Sequence, residues 1–204
     1  HGILPDQLRA ALGADPVALF IHSRAQNPTG AALSSVRRDE LVKLLTNSSC
    51  IVVEADHSGL IARAEIVSLG SHMQGRTVHI RSYSKSHGPD LRIAGLSGPA
   101  DIVDPIMARR MLGPGWTSRI LQSLLLSLLD DPESGAVVAR ARQIYDRRTQ
   151  SLTKHLEKRG VHVHPGDGVN LWVEVADERA ALLMLAAAGI RVAPGSPFVI
   201  EASD

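Results

Sequence analysis

The sequence predicts an α/β fold, a mostly parallel sheet flanked by helices, followed by the start of a smaller α+β unit. Three observations carry this. Apolar runs of strand length alternate with helix-forming stretches, the pattern of a parallel sheet covered by helices. Each run leads at once into a polar, turn-rich segment, and in such sheets ligands bind outside the carboxyl ends of the strands. A long periodic stretch rich in Ala, Arg and Glu then separates this alternation from a strand–strand–helix–strand tail. On this pattern residues 1–130 form part of a larger domain, 131–160 a connecting helix and 161–204 a partial small domain.

Taken in order, Pro5 to Leu12 predicts a short helix ended by Gly13, with proline at an early position where no N–H is needed. Val17-Ala18-Leu19-Phe20-Ile21 is continuously apolar, as expected of a strand buried on both faces, and runs into Asn27-Pro28-Thr29-Gly30. Ser34 or Ser35 caps the next helix, which extends to Thr46 with Leu41, Leu44 and Leu45 on one face. Cys50 to Val53 is a second strand with acidic and histidine residues at its end, Val78 to Arg81 a third, and Arg92 to Leu96 a fourth. Helices are expected from Pro99 to Arg110 and from Trp116 to Leu129, broken apart by Gly113-Pro114-Gly115. The connecting helix opens at Pro132 and ends at Gly160, a length approaching ~40 Å at ~1.5 Å per residue. In the tail, Val161 to His164 and Leu171 to Val175 alternate as strands. Asp177 caps a helix through Ala188, ended by Gly189, and Ile190 to Ala193 is a further strand.

Composition narrows the function. A net charge of +1 offers no electrostatic surface for nucleic acid or membrane, and 3% aromatic residues leaves little to stack on bases. The one cysteine, Cys50, rules out an internal disulfide, fits a reducing cytoplasm and stands in an apolar run as a small buried hydrophobe. Nothing at His1 to Pro5 resembles a secretory leader, and the apolar patch from Ile120 to Leu129 is too short to span a bilayer. There is no Walker loop, no Gly-x-Gly-x-x-Gly, no zinc pattern and no Ser-His-Asp signature. Only His162-x-His164 has ligand spacing, and with no partner in the sequence it reads as a strand edge, so no metal is expected.

The chemistry concentrates between Arg81 and Gly95. Lys85 lies just past the third strand, with Ser84 and Ser82 before it and Arg92 beyond the Gly88-Pro89 turn. A lone loop lysine is ordinarily a solvated charge. An amine that must react near neutral pH needs a partly desolvated or cationic setting. A phosphate-bearing ligand needs short hydroxyl donors and a fork-shaped guanidinium. Ser82, Ser84 and Arg92 supply that set.

Ser-x-x-Lys followed by Gly-Pro-x-Leu-Arg-Ile resembles the cofactor-lysine segment of fold-type I pyridoxal-phosphate enzymes, the aspartate-aminotransferase superfamily. It is most similar to the aminotransferase-like domains of the MocR/GntR group of bacterial regulators. Gln26-Asn27-Pro28-Thr29-Gly30 and Val53-Glu54-Ala55-Asp56-His57-Ser58-Gly59 precede it in the family's order. The resemblance implies part of the pyridoxal-phosphate-binding large domain plus the start of the small one, an interior portion of a fold that begins before His1 and continues past Asp204. It implies pyridoxal 5'-phosphate as cofactor and Lys85 as its Schiff-base residue and general base. By the same likeness Ser82, Ser84 and Arg92 meet the phosphate, Asn27 the phenolic oxygen, and Asn170 the substrate. Asp56 is the candidate to face the pyridine nitrogen, and His57 stands where many relatives carry a tyrosine that bonds the phenolic oxygen.

Two positions depart from the family. Related regulators have two aspartates where this chain has Ala55-Asp56, and the ring partner belongs at one or the other. Strand alternation puts Glu54 and Asp56 on one face and Ala55 on the opposite one. Asp90 replaces a usual glycine and brings a negative charge toward the phosphate. The implied activity is amino-group transfer between an amino acid and a 2-oxo acid. The alternative is a domain sensing the cofactor and amino acids for a MocR/GntR-type regulator, with little or no turnover. The implied partners are those two substrates, a second copy in a homodimer, and DNA only through a separate N-terminal domain; the expected location is cytoplasmic, with no membrane contact.

Overall fold

The computed structural model describes residues 2–164 and 166–199; the small-domain stretch expected beyond Val199 lies outside them. A four-stranded sheet runs in the order β1 (Ala18–Ile21), β2 (Ile51–Asp56), β3 (Thr77–Ser82), β4 (Ala94–Ser97). The first three strands are parallel and β4 is antiparallel to β3. Six helices accompany it: α1 (Pro5–Leu12), α2 (Ser35–Leu45), α3 (Ala100–Arg110), α4 (Arg119–Asp130), α5 (Pro132–Glu157) and α6 (Glu178–Ala187). The mostly parallel α/β sheet expected from the apolar runs is therefore present.

Local chemistry sets the helix starts. The Ser34 hydroxyl accepts from the Arg37 N–H at 3.2 Å and opens α2, while Asp131 accepts from the Glu133 and Ser134 N–H groups ahead of α5. α5 has 26 residues, a rod of roughly 39 Å. Leu8, Leu41, Leu45, Cys50, Val52, Leu69 and Met73 form one apolar cluster between the helices and the sheet. Burial alternates along β2, with Val52, Glu54 and Asp56 inside and Ile51, Val53 and Ala55 half-buried.

Three expectations are corrected. β1 is not buried on both faces: it is the edge of the sheet, and Phe20 is 74% exposed. α4 starts at Arg119 behind a Ser118 cap, leaving Trp116 outside the helix and exposed. In the tail, Val161 to His164 and Leu171 to Val175 meet at one antiparallel bridge, Val163 with Val173, and Ile190 to Ala193 is not a strand. Strand backbone needs a paired neighbour, and 190–193 has none among the described residues.

The tail is anchored to the sheet domain by Asp167. Its buried carboxylate accepts from the Arg63 N–H at 2.7 Å and the Ala64 N–H at 2.9 Å, and its own N–H donates to the Gly30 carbonyl at 2.7 Å. Gly30 has φ 70°, and a Cβ there would lie 2.7 Å from Gly166 Cα. Only glycine fits this crossing.

Candidate functional site

The site is organised by the carboxyl end of β2, where the pleat divides four consecutive residues between two environments. Glu54 is 1% exposed, and its carboxylate accepts from the Ser68 hydroxyl and the Leu69 N–H, both at 2.6 Å. Asp56 is 2% exposed and meets three hydrogen-bond donors and a second guanidinium. Arg24 Nε at 3.2 Å and the Gly59 N–H at 3.0 Å meet Oδ1; Arg24 Nη2 at 2.8 Å and Arg81 Nε at 3.1 Å meet Oδ2. Of the about four lone-pair sites of a carboxylate, three accept hydrogen bonds, and Arg81 adds an ion pair. Burial alone would raise this carboxyl, but the bonded Arg24, the charge of Arg81 and the Gly59 N–H outweigh it and hold it below the usual carboxylate range. Both Asp56 oxygens face guanidiniums, Arg24 on Oδ1 and Oδ2 and Arg81 on Oδ2.

The opposite face of β2 carries Ala55, which lines a cleft of about 1010 Å³ together with Phe20, His22, Gly30, Asp167 and Trp172. His57 follows, its ring centroid 4.7 Å from that of His22. His57 Nε2 is 3.2 Å from the Ser58 hydroxyl, while Nδ1 is buried with no partner among the described residues. Burial, then the charges of His22 and Lys85, push the His57 pKa down against the pull of Asp56. Burial lowers that of His22 as well.

Lys85 sits in a tight loop closed by the His87 N–H on the Tyr83 carbonyl at 2.9 Å and the Tyr83 N–H on the Ile93 carbonyl at 3.2 Å. It is exposed, and it lines a second cleft of about 530 Å³ with Ile61, Ser84, Tyr145, Arg148 and Leu171. Ser82 donates to the Ser84 hydroxyl at 3.2 Å, and the Ser84 N–H donates back to Ser82 at 3.3 Å. Arg92 is exposed in left-handed backbone, φ 50°, two residues before Ala94, the register partner of Ser82. Asp90 is exposed one turn away. The remaining pair is joined over a long stretch of sequence: Asn170 Nδ2 donates to Asn27 Oδ1 at 2.8 Å. The Gln26 side chain closes the turn after Asn27 by accepting from the Thr29 hydroxyl at 2.6 Å.

Sequence reasoning did not single out Arg24, Arg81, His22, Asp167, Tyr145 or Arg148. Arg81 had a signal, because parallel register sets it directly across from Asp56 and a buried strand-end carboxylate needs a cation. Tyr145 and Arg148, one helical turn apart on α5, had the spacing but nothing to say which face met the lysine loop.

Lys85, Ser82 and Ser84 at the end of β3, the half-buried His57 and the tail residues Val169 and Leu171 lie at the carboxyl edge of an α/β sheet. The chain belongs to the class I and II aminotransferase family, whose profile matches residues 1–203. It is 32% identical over 204 residues to the vitamin B6 salvage pathway transcriptional repressor PtsJ of Salmonella typhimurium, covering 99% of this chain and 47% of that protein. It is 30% identical over 217 residues to the HTH-type transcriptional regulator TauR of Rhodobacter capsulatus, covering 100% of this chain and 43% of the relative. Among solved structures, the aromatic aminotransferase from Pyrococcus horikoshii superposes with a TM-score of 0.88 at 25% identity, over 96% of this chain and 55% of that one. The chain thus spans about half the length of the curated relatives it matches. Among the described residues, no helix is long and apolar enough to cross a membrane.

Proposed function

We propose that this chain is the cofactor-holding part of a transcription regulator, binding pyridoxal phosphate at Lys85 and reading the cofactor or an amino acid joined to it, with little or no turnover. The observation that supports this most is the division of β2: Ala55, in the cleft of His22 and Trp172, has no acid to offer, while Asp56 is hydrogen-bonded by Arg24 and Gly59 and paired with Arg81. Bound pyridoxal phosphate would supply an electron sink that is strongest with its ring nitrogen protonated, a state favoured by a facing anion. At the end of β2, Ala55 has no carboxylate and that of Asp56 is engaged by Arg24, Arg81 and Gly59.

The rest of the donor set suits holding the group. Lys85 offers the amine for its aldehyde, Ser82, Ser84 and Arg92 the phosphate donors, and the unpartnered His57 Nδ1 a bond to the phenolic oxygen. Asn27, steadied by Asn170, offers a second. The likeness to a repressor of vitamin B6 salvage agrees with such a sensor. In the same reading a second copy completes a homodimer, and DNA is met by a separate domain. A second reading, transfer of an amino group to a 2-oxo acid, is favoured by the intact lysine loop.

The test is visible absorbance of the full-length protein with pyridoxal phosphate, followed by borohydride reduction and peptide mapping. A reduced adduct on Lys85, lost in Lys85→Ala, is expected. Amino acid added in a single turnover should then release no stoichiometric keto acid; stoichiometric release would establish the second reading. A colourless protein at saturating cofactor overturns both.

A further inference from the structure

His162 and His164 lack a partner in the sequence, and the tail hairpin gives them one. Spaced by two in extended backbone, their imidazoles share one face. The bridge of Val163 with Val173 sets the register. The Glu174 N–H on the His162 carbonyl at 3.4 Å and the His164 N–H on the Trp172 carbonyl at 3.2 Å flank it. Directly opposed residues of antiparallel strands project to the same side, so Glu174 and Trp172 join the two histidines there. The imidazole centroids are 5.0 Å apart, and His164 Nε2 lies 2.6 Å from Glu174 Oε1. One ligand atom from each of His162, His164 and Glu174 falls within 4.8 Å of the other two.

We propose that His162, His164 and Glu174 form a binding site for a divalent first-row transition-metal ion, of which zinc is the type. Imidazole nitrogen and carboxylate oxygen bind zinc at about 2.0–2.2 Å, which sets ligand atoms of a tetrahedron roughly 3.3 Å apart. The hydrogen-bonded His164–Glu174 pair needs to open by under ~1 Å to reach that spacing, and the widest pair to close by ~1.5 Å. His162 and Glu174 are exposed and His164 is half-buried, so side-chain rotation suffices while the bridge holds the backbone. Two imidazoles with one carboxylate select zinc, nickel or copper over magnesium and calcium, which require oxygen ligands. Three protein ligands leave a coordination position for water or an exogenous group.

The site has a defined place in the fold. His164 and Trp172 line the same cleft as His22 and Ala55. The hairpin turn they bracket carries Asp167, which anchors the tail to residues 63 and 64, and Asn170, which bonds Asn27. An ion there ties both strands of this hairpin at the cleft rim. It is an input separate from Lys85 and does not depend on the cofactor being held.

The experiment is isothermal titration calorimetry of the full-length protein, freed of metal by chelator, with zinc chloride and with magnesium chloride. Zinc should saturate at one ion per chain at this site and magnesium should give no binding. His162→Ala, His164→Ala and Glu174→Gln should each weaken zinc by about tenfold or more, whereas His155→Ala, on exposed α5, should not. Cobalt in place of zinc should give intense visible d–d bands of a four-coordinate ion, absent in His162→Ala. Unchanged thermal melts of the variants without metal separate loss of ligands from loss of fold. Zinc affinity equal to wild type in the three variants, or no saturable binding at all, overturns the proposal.

Discussion

The two faces of β2 hold opposite kinds of polar chemistry. On the inner face Glu54 and Asp56 are almost wholly buried and almost wholly bonded, Asp56 by two guanidiniums and a backbone N–H. On the other face stand Ala55, without a polar atom and lining the larger cleft, and just past the strand His57, with a buried nitrogen lacking a partner among the described residues. A satisfied buried charge fixes the fold and has nothing left for a ligand, whereas an unsatisfied buried group is costly until something binds it. On the function proposed above, the acids of this strand serve architecture and the imidazole serves the ligand.

The largest effect that sharpens this contrast is Asp56→Ala. Removing one partner of a buried ion pair costs about 3–5 kcal/mol because the other charge is stranded, and here both Arg24 and Arg81 are left. Urea unfolding should show that loss, while the fraction still folded binds pyridoxal phosphate as before. Normal stability with lost cofactor binding would break the comparison. Arg81→Ala should cost less, about 1–3 kcal/mol, because Arg24 keeps two bonds to the carboxylate; the same unfolding curves rank the two.

How much of this was legible in the sequence follows from how far apart the interacting residues lie. The caps Ser34 and Asp177 were readable because each bonds an N–H three residues on. The two-residue period of strands also gave the correct shared face for Glu54 and Asp56. Arg24 with Asp56 spans 32 positions and Asp167 with Arg63 spans 104, and no local pattern announces such pairs. β1 was misjudged for a related reason: its apolar run does not say whether another strand lies beside it. Glu174 became a partner for His162 and His164 only through the bridge that sets one strand against the other.

A change of intermediate size supplies the cleft face with the acid it lacks. Ala55→Asp puts a carboxylate beside His22 and His57 without a guanidinium, so apo stability should fall by about 1–3 kcal/mol. If the missing anion is what limits turnover, single-turnover addition of an amino acid should now release keto acid, measured by a coupled dehydrogenase. Release from wild type already equal to that of the variant would show that the division of β2 has no bearing on chemistry.

The smallest effect is in the pH dependence, and it separates the faces by where stability is lost. Asp56 has a folded-state pKa below its ordinary ~3.9, held there by Arg24, Arg81 and Gly59 against burial. Its contribution is complete above the ordinary value and disappears as pH falls through the depressed one. His57 has a folded pKa below its ordinary ~6.5, through burial and the charges of His22 and Lys85. The unfolded chain therefore takes up its proton first, and stability declines as pH drops from about 6.5 until the folded imidazole also protonates. His22 and His87, lowered by burial, share this upper window. Urea midpoints measured across pH should thus show a shallow decline starting near neutrality and a separate acid limb. His57→Gln should flatten the first without touching the second, and saturating pyridoxal phosphate should flatten it too if the ligand satisfies Nδ1. An upper decline as steep in the His22→Gln, His57→Gln double variant as in the wild type would mean that these two imidazoles are not the groups responsible.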